Sequence, residues 1–260
     1  MCAFERSEKG MEFNMKALIT GASSGIGKDF AKILDKKGFD LILVARDTNK
    51  LNEVKNELKG NVEIISMDLS IPENCKKLYA ENPNIDLLIN NAGFGDCGNF
   101  TITNLDKEIS MINTNITAYH ILTKLYLIDM KKENKGHILN VASIAGFMPG
   151  PLMATYYATK AYIVRLSEAI REELRKEKSN VKISILCPGP VNTNFNKVAN
   201  VKFHLREANS MKVAQYAINH LNRFYIVPGL DIKLARFGAK ITPSSLISKI
   251  TYKVQKRKLN

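Results

Sequence analysis

The stretch Thr155-Tyr156-Tyr157-Ala158-Thr159-Lys160 sets a phenol and an ammonium four residues apart. In a helix, side chains at i and i+4 leave the same face. A tyrosine titrates near ~10 and is a spectator at neutral pH, but a cation held beside it favours the phenolate and brings the group toward acid/base work. Tyr156 is therefore a candidate proton donor or acceptor and Lys160 the cation that tunes it. The same spacing arises on any amphipathic helix, so the reading depends on what accompanies it. Thirteen residues ahead, Ser143 follows the apolar run His137 to Val141. That spacing allows a loop and a helix start, which places a hydroxyl near Tyr156.

The elements that must hold these groups alternate along the chain. Lys16 to Thr20 is a short apolar run, and Gly21-Ala22-Ser23-Ser24-Gly25-Ile26-Gly27 leads into a helical pattern with Phe30, Ile33 and Leu34 inward. A glycine turn between a strand and a helix lets backbone approach a pyrophosphate while the free amides of the helix start face its charge, although a plain strand-to-helix corner also uses glycine. Gly38 ends that helix and Leu41 to Ala45 reads as a second buried strand. The residue closing that strand faces an adenosine ribose in such folds. Here Ala45 has no carboxylate for a 2′-hydroxyl, and Arg46 offers a planar fork suited to a 2′-phosphate. NADP(H) is thus preferred over NAD(H); the competing readings are Asp47 as a displaced ribose carboxylate, or Arg46 as a solvated charge.

Further on, Asn49 to Leu58 reads as a charged helix, Val62 to Met67 as a third strand before Asp68-Leu69, Pro72 to Ala80 as a helix and Ile85 to Ile89 as a fourth strand. That strand runs into Asn90-Asn91-Ala92-Gly93, whose side-chain amides can satisfy backbone groups that a glycine turn leaves open. Asp106 to Lys132 is a long helical stretch with Asn113 and Asn115 in its middle, where asparagine is a poor helix former and serves a polar site. Thr155 to Lys178 continues as a helix, Val181 to Cys187 is a sixth strand, and Pro188-Gly189-Pro190-Val191-Asn192-Thr193 is a rigid turn. Asn196 to Asn209 is polar and irregular, the kind of connection that forms a substrate lid; Met211 to Leu221 is helical and Arg223 to Val227 a last strand. Strands alternating with helices give a single α/β domain, a Rossmann-type doubly wound parallel sheet with helices on both faces.

Composition bounds the partners. The chain has 260 residues, 45% of them hydrophobic, and 38 Lys or Arg against 25 Asp or Glu, a net charge of +13 that suits anionic partners. No aromatic-interleaved basic surface or recognition motif points to nucleic acid. Cys2, Cys75, Cys97 and Cys187 are scattered without metal-ligand spacing, which implies reduced thiols and no metal site. No apolar run has transmembrane length and the first fourteen residues lack the apolar core of a signal peptide, so the expected location is cytoplasmic. Residues 1–14 are expected to be a loosely ordered extension, or to precede an alternative start at Met15.

Across roughly residues 15 to 230 the chain resembles the short-chain dehydrogenase/reductase family. The motifs that carry the resemblance occur in order: Thr20-Gly-x-x-x-Gly-x-Gly27, Asn90-Asn-Ala-Gly93, Asn115, Ser143, Tyr156-x-x-x-Lys160 and Pro188-Gly189. The likeness implies a nicotinamide cofactor and the interconversion of a carbonyl and an alcohol, with Tyr156 as the acid/base and Ser143 bonded to the same oxygen. It also implies that Lys160 holds the nicotinamide ribose and lowers the tyrosine pKa, while Asn115 positions a water of the proton relay. By the same likeness the cofactor is held by Gly21, Ser23, Ser24, Gly25, Ile26, Gly27, Arg46, Asp68, Leu69, Asn90, Ala92, Gly93, Tyr156, Lys160, Pro188, Gly189, Val191 and Thr193. Within this assignment Asp68 meets adenine, Asn90 and Gly93 the adenosine side, and Thr193 the carboxamide. A homodimer or homotetramer acting on a small-molecule substrate is expected, and Phe94, Met148, Phe195 and Phe203 hint at an apolar one. An NAD-linked alcohol dehydrogenase and a non-catalytic dinucleotide sensor are the alternatives.

After the last strand the likeness weakens. From Asp231 to Asn260 there are eight Lys or Arg against one Asp, a net +7, and Leu246, Ile250 and Val254 fall at i, i+4 and i+8. This basic amphipathic helix either covers the core or a subunit contact, or makes weak peripheral contact with an anionic membrane.

Overall fold

Strands buried on both faces need apolar residues at every position rather than at alternate ones, and this chain supplies them. In the computed structural model, residues 15–199 and 207–257 are described. β1 (Lys16–Thr20), β2 (Asp40–Ala45) and β3 (Val62–Ser66) alternate with α1 (Gly25–Asp35), α2 (Thr48–Asn56) and α3 (Pro72–Glu81). β4 (Leu87–Asn90) then leads through α4 (Leu105–Ile112) and α5 (Ala118–Lys132) to β5 (His137–Val141), and α6 (Ala154–Lys176) to β6 (Lys182–Leu186). Two short strands, β7 (Val191–Asn192) and β8 (Ala208–Asn209), pair with each other and flank the one-turn α7 (Phe195–Val198). α8 (Ser210–Asn219), β9 (Tyr225–Ile226), α9 (Leu230–Ile241) and α10 (Ser244–Lys256) complete the described chain.

Seven parallel strands form one sheet in the order β3-β2-β1-β4-β5-β6-β9. The order reverses between β1 and β4, and ligands of such sheets bind outside the carboxyl ends of the strands at that reversal. Alternation along each strand feeds two cores. Ala17, Ile19, Leu41 and Leu43 face one side with Phe30 and Leu34 of α1 and Val213 and Ala217 of α8. Leu18, Ile42, Val44 and Leu88 face the other, with Leu78 of α3, Leu122 and Tyr126 of α5 and Leu174 of α6. Each fully buried Val, Leu, Ile or Phe among them contributes about 1.5–3 kcal/mol relative to exposure.

Three sequence expectations are revised. The stretch Asp106 to Lys132 is not one α-helix: Asn113–Thr117 form a π-helical turn between α4 and α5. The connection Asn196 to Asn209 opens with most of α7 and closes with β8, while 200–206, and with them Phe203, lie outside the described residues, as do 1–14. Finally, α10 does not bury the stripe Leu246, Ile250 and Val254. It buries Ile247, Thr251 and Gln255 and leaves Leu246 and Ile250 about half exposed. Among the described residues no helix is long and apolar enough to cross a membrane.

Candidate active site

Ser143 is placed by the pairing of β5 and β6, which continues past both strands: Ala142 N donates to Leu186 O at 2.8 Å and Ile144 N to Pro188 O at 2.9 Å. The Ser143 hydroxyl accepts from Ala145 N at 3.2 Å and so starts a 3-10 turn, Ile144–Phe147. That turn presses on α6 at Gly146, where a Cβ would sit 2.7 Å from Lys160 O and 2.8 Å from Val164 Cγ2. Any larger residue would push Ser143 away from the helix that carries Tyr156.

The Tyr156 ring lies against Phe195 of α7, with centroids 5.2 Å apart, and edge-on to Tyr157 at 6.1 Å. Tyr157 is buried beneath Gly150, and its hydroxyl bonds Gln255 of α10. The second tyrosine is thus committed to α10. Lys160 is 5% exposed; its Nζ donates to Val141 O at 2.9 Å and stands 5.5 Å from the Tyr119 centroid and 5.9 Å from that of Tyr156.

The titration expected from the Tyr-Lys spacing is not what this arrangement produces. Burial pushes the Tyr156 phenol up to about 12, with the Ser143 hydroxyl pulling weakly the other way. The Lys160 ammonium is driven down to about 8 by burial, opposed by Cys187. Desolvation dominates both shifts because both groups are buried.

Asn115 is fully buried inside the π turn, a deformation common at functional sites. Its Oδ1 accepts from Phe94 N at 3.1 Å, and its Nδ2 donates to Phe94 O at 2.9 Å and Thr159 Oγ1 at 3.1 Å. Asn115 thus ties the Gly93-Phe94 loop to α6, one residue before Lys160. Both amide hydrogens are used, so a relay water held here would rely on a remaining lone pair or on backbone.

The glycine turn has the form of a dinucleotide cradle. Gly21 and Gly25 adopt φ of +67° and +54°, which favour glycine. A Cβ on Gly27 would fall 2.6 Å from Asn91 Nδ2 and closer still to the Gly21 carbonyl. Ser24, the N-cap of α1, makes no side-chain cap, so the first amides of that helix keep their capacity for an anion, and Ser23 and Ile26 lie half-buried beside them. Asn91 secures the turn as expected of that amide, donating to Thr20 O at 3.0 Å and Gly21 O at 3.2 Å. Thr20 is a supporting residue the sequence did not single out; its Oγ1 accepts from Asn91 N at 2.9 Å and Ala92 N at 3.0 Å.

Asn90 does not present its side chain to this edge. Its Nδ2 is buried against Asn140 Oδ1 at 3.0 Å and Thr123 Oγ1 at 3.1 Å, which commits the amide nitrogen to the core. Leu69 is likewise buried in the core by its side chain, whereas Asp68 accepts from Ser70 N at 2.9 Å beside it. Arg46 is exposed at the end of β2, and its guanidinium has no carboxylate partner among the described residues. Asp47 is occupied instead: it caps α2 through Lys50 N at 3.1 Å and pairs with Lys50 Nζ at 3.2 Å, which argues against its use as a ribose carboxylate. Across the cleft Thr193 packs over Gly25, where a Cβ would meet its Cγ2 at 2.9 Å; Val191 is buried, and Gly189 lies under Ile232 of α9. Pro188 supplies the carbonyl that holds Ile144. These residues fit a nicotinamide dinucleotide laid over the carboxyl edge. On the substrate side, Cys97, Ala145 and Met153 are packed with Met148, Leu152, Tyr156 and Phe195. A separate hollow of about 240 Å³, lined by Asp86, Tyr126, Asp129 and Glu133 among others, shares no residue with this site.

Comparison with known proteins identifies the family. Residues 15–202 match the family model described as short chain dehydrogenase. An uncharacterized oxidoreductase of Staphylococcus epidermidis is 35% identical over 68% of this chain and 78% of its own length. The very-long-chain 3-oxoacyl-CoA reductase of Mus musculus is 32% identical over 76% of this chain and 66% of its own. Among solved structures, a short-chain dehydrogenase from Sphingobium yanoikuyae in complex with NADPH superposes with a TM-score of 0.79 at 29% identity, covering 87% of this chain and 92% of its own. One from Burkholderia phymatum in complex with NAD gives 0.78 at 25% identity, covering 88% and 94%.

Proposed function

The chain belongs to the short-chain dehydrogenase/reductase family, an oxidoreductase family, and on that footing we propose that it is an NADP(H)-dependent enzyme interconverting a carbonyl and an alcohol. The observation that carries the catalytic part is the convergence of Ser143, Tyr156 and Lys160 where the 3-10 turn after β5 meets α6. A bound nicotinamide supplies or accepts the hydride. Tyr156, protonated at neutral pH because burial raises its phenol, gives its proton to the substrate oxygen in reduction and regains it in oxidation. Ser143 donates a hydrogen bond to the same oxygen, and Lys160 holds the ribose side of the site. Asn115 fixes the loop that borders Lys160.

NADP(H) over NAD(H) is supported by Arg46, exposed at the end of β2 and without a carboxylate partner among the described residues, and by the engagement of Asp47 in capping α2. The substrate is proposed to be an apolar carbonyl, since Met148, Leu152 and Phe195 border Tyr156. Leu105, Ile109 and Ile112 are exposed along one face of α4, which supports a homodimer or homotetramer.

A panel of ketones and alcohols assayed with NADPH and NADH tests the activity. Tyr156→Phe should abolish nearly all turnover while leaving NADPH binding intact; retention of most turnover would reject Tyr156 as the acid/base. Arg46→Ala should weaken NADPH by about 1.5–3 kcal/mol, roughly tenfold to a hundredfold, and leave NADH almost unchanged. Equal losses for both cofactors would remove the 2′-phosphate from the reading.

A further inference from the structure

α9 is packed the wrong way round for a helix that covers a core. Leu230, Leu234, Phe237 and Ile241, at i, i+4, i+7 and i+11, are 75%, 70%, 63% and 66% exposed. The opposite face is the one that touches the body: Ile232 over Gly189, and Arg236 with its guanidinium 3.6 Å from the Tyr225 centroid and 5.0 Å from that of Phe147. A soluble helix turns its large hydrophobes inward and its arginine out. An exposed apolar ridge of this length calls for an occupant.

We propose that the outer faces of α9 and α10 dock on an anionic lipid surface. The charge around the ridge selects that occupant. Lys233 and Lys240 fall together along one edge of the α9 ridge, and on α10 the outward Leu246 and Ile250 are accompanied by Lys249 and Lys253. Eight basic residues against one acidic in the last thirty give the whole tail a net +7. A second copy of the chain, docked through the same patch, would bring two basic rims together. A bilayer with anionic headgroups offers instead an apolar layer for the ridge and a negative plane for the lysines. The inner faces of the same helices are fixed to the catalytic segment: Arg236 stacks on Phe147, Thr251 Oγ1 donates to Pro149 O at 2.9 Å, and Gln255 bonds Tyr157. Docking therefore holds the Ser143 to Tyr156 segment close to the lipid, where apolar carbonyl compounds partition.

The test uses the full chain and two kinds of vesicle, phosphatidylcholine alone and phosphatidylcholine mixed with phosphatidylserine. Co-sedimentation is expected with the mixed vesicles only, weakening as salt is raised. Phe237→Glu and the pair Lys233→Glu with Lys240→Glu should each reduce binding about tenfold or more with unchanged melting temperature, since all three side chains face solvent. The chain has no tryptophan, so Phe237→Trp gives a single fluorophore whose emission should shift to the blue on mixed vesicles. Equal binding to pure phosphatidylcholine, indifference to Phe237→Glu, or an unshifted tryptophan would overturn the proposal. So would a dimer that ignores vesicles and that Phe237→Glu dissociates. None of these readouts involves turnover, so failure here leaves the proposed activity standing.

Discussion

Lys160 is held in its site at a cost to the fold. Its side chain is 5% exposed and its pKa falls from 10.5 to about 8, so the charged form is disfavoured by the folded protein. The folded state binds fewer protons than the unfolded one between pH 8 and 10.5. The contribution of this group to stability therefore rises with pH across that window, and its full penalty applies below pH 8. Lys160→Met should then stabilise the cofactor-free protein at pH 7 by on the order of 1–3 kcal/mol, an advantage that vanishes as pH approaches 10.5. Val141 O keeps a donor after the substitution, because Tyr119 OH also reaches it at 3.2 Å. Thermal melts of both proteins at pH 7 and pH 10 decide the matter: a variant less stable at pH 7, or one whose advantage grows with pH, contradicts the account. The variant should also lose turnover, as expected where a functional group is kept against stability.

At the scale of elements, legibility follows how local the cause is. The glycine turn, the amide of Asn91 and the spacing of Tyr156 and Lys160 are local patterns at strand ends and on one helix face, and the structure brings them to one edge. The side-chain partners of Asn90, Asn140 and Thr123, were hidden because they lie 50 and 33 residues away. The buried face of α10 was hidden for the same reason: its most regular apolar stripe is Leu246, Ile250 and Val254, but Thr251 and Gln255 both find acceptors, on Pro149 O and the Tyr157 hydroxyl, 102 and 98 residues distant. Those contacts make α10 part of the fold rather than a detachable tail. Burying Ile247 is worth about 1.5–3 kcal/mol and each hydrogen bond about 1 kcal/mol. Truncation after Pro243 should thus destabilise the protein by roughly 4 kcal/mol and lower turnover, because it uncovers Tyr157 beside Tyr156. An unchanged melting temperature and rate would show that α10 merely rests on the surface.

For the whole molecule, the parallel doubly wound sheet was readable from the alternation of strands and helices, and the charge of the tail was readable as a sum, but the sheet's strand order and where the fold carries that charge were not. More than half of the net +13 belongs to the last thirty residues, and α9 and α10 carry much of it to the neighbourhood of Gly189 and of Phe147 to Tyr157, on the rim of the proposed cofactor site. A phosphate-rich dinucleotide approaching that rim meets a field of opposite sign. Such fields raise association rates about tenfold or more when unscreened, and the Debye length shrinks from about 30 Å at 0.01 M salt to about 8 Å at 0.15 M. kcat/KM for NADPH should accordingly fall about threefold to tenfold between those two salt concentrations while kcat stays level, because steering acts on encounter and not on the chemical step. NADH lacks the 2′-phosphate and carries less charge to the same rim, so its dependence should be shallower. Initial rates with each cofactor across that salt range test this directly: a flat kcat/KM for NADPH would mean that the tail's charge does not reach the site, and matching slopes for the two cofactors would mean that Arg46 does not meet the phosphate.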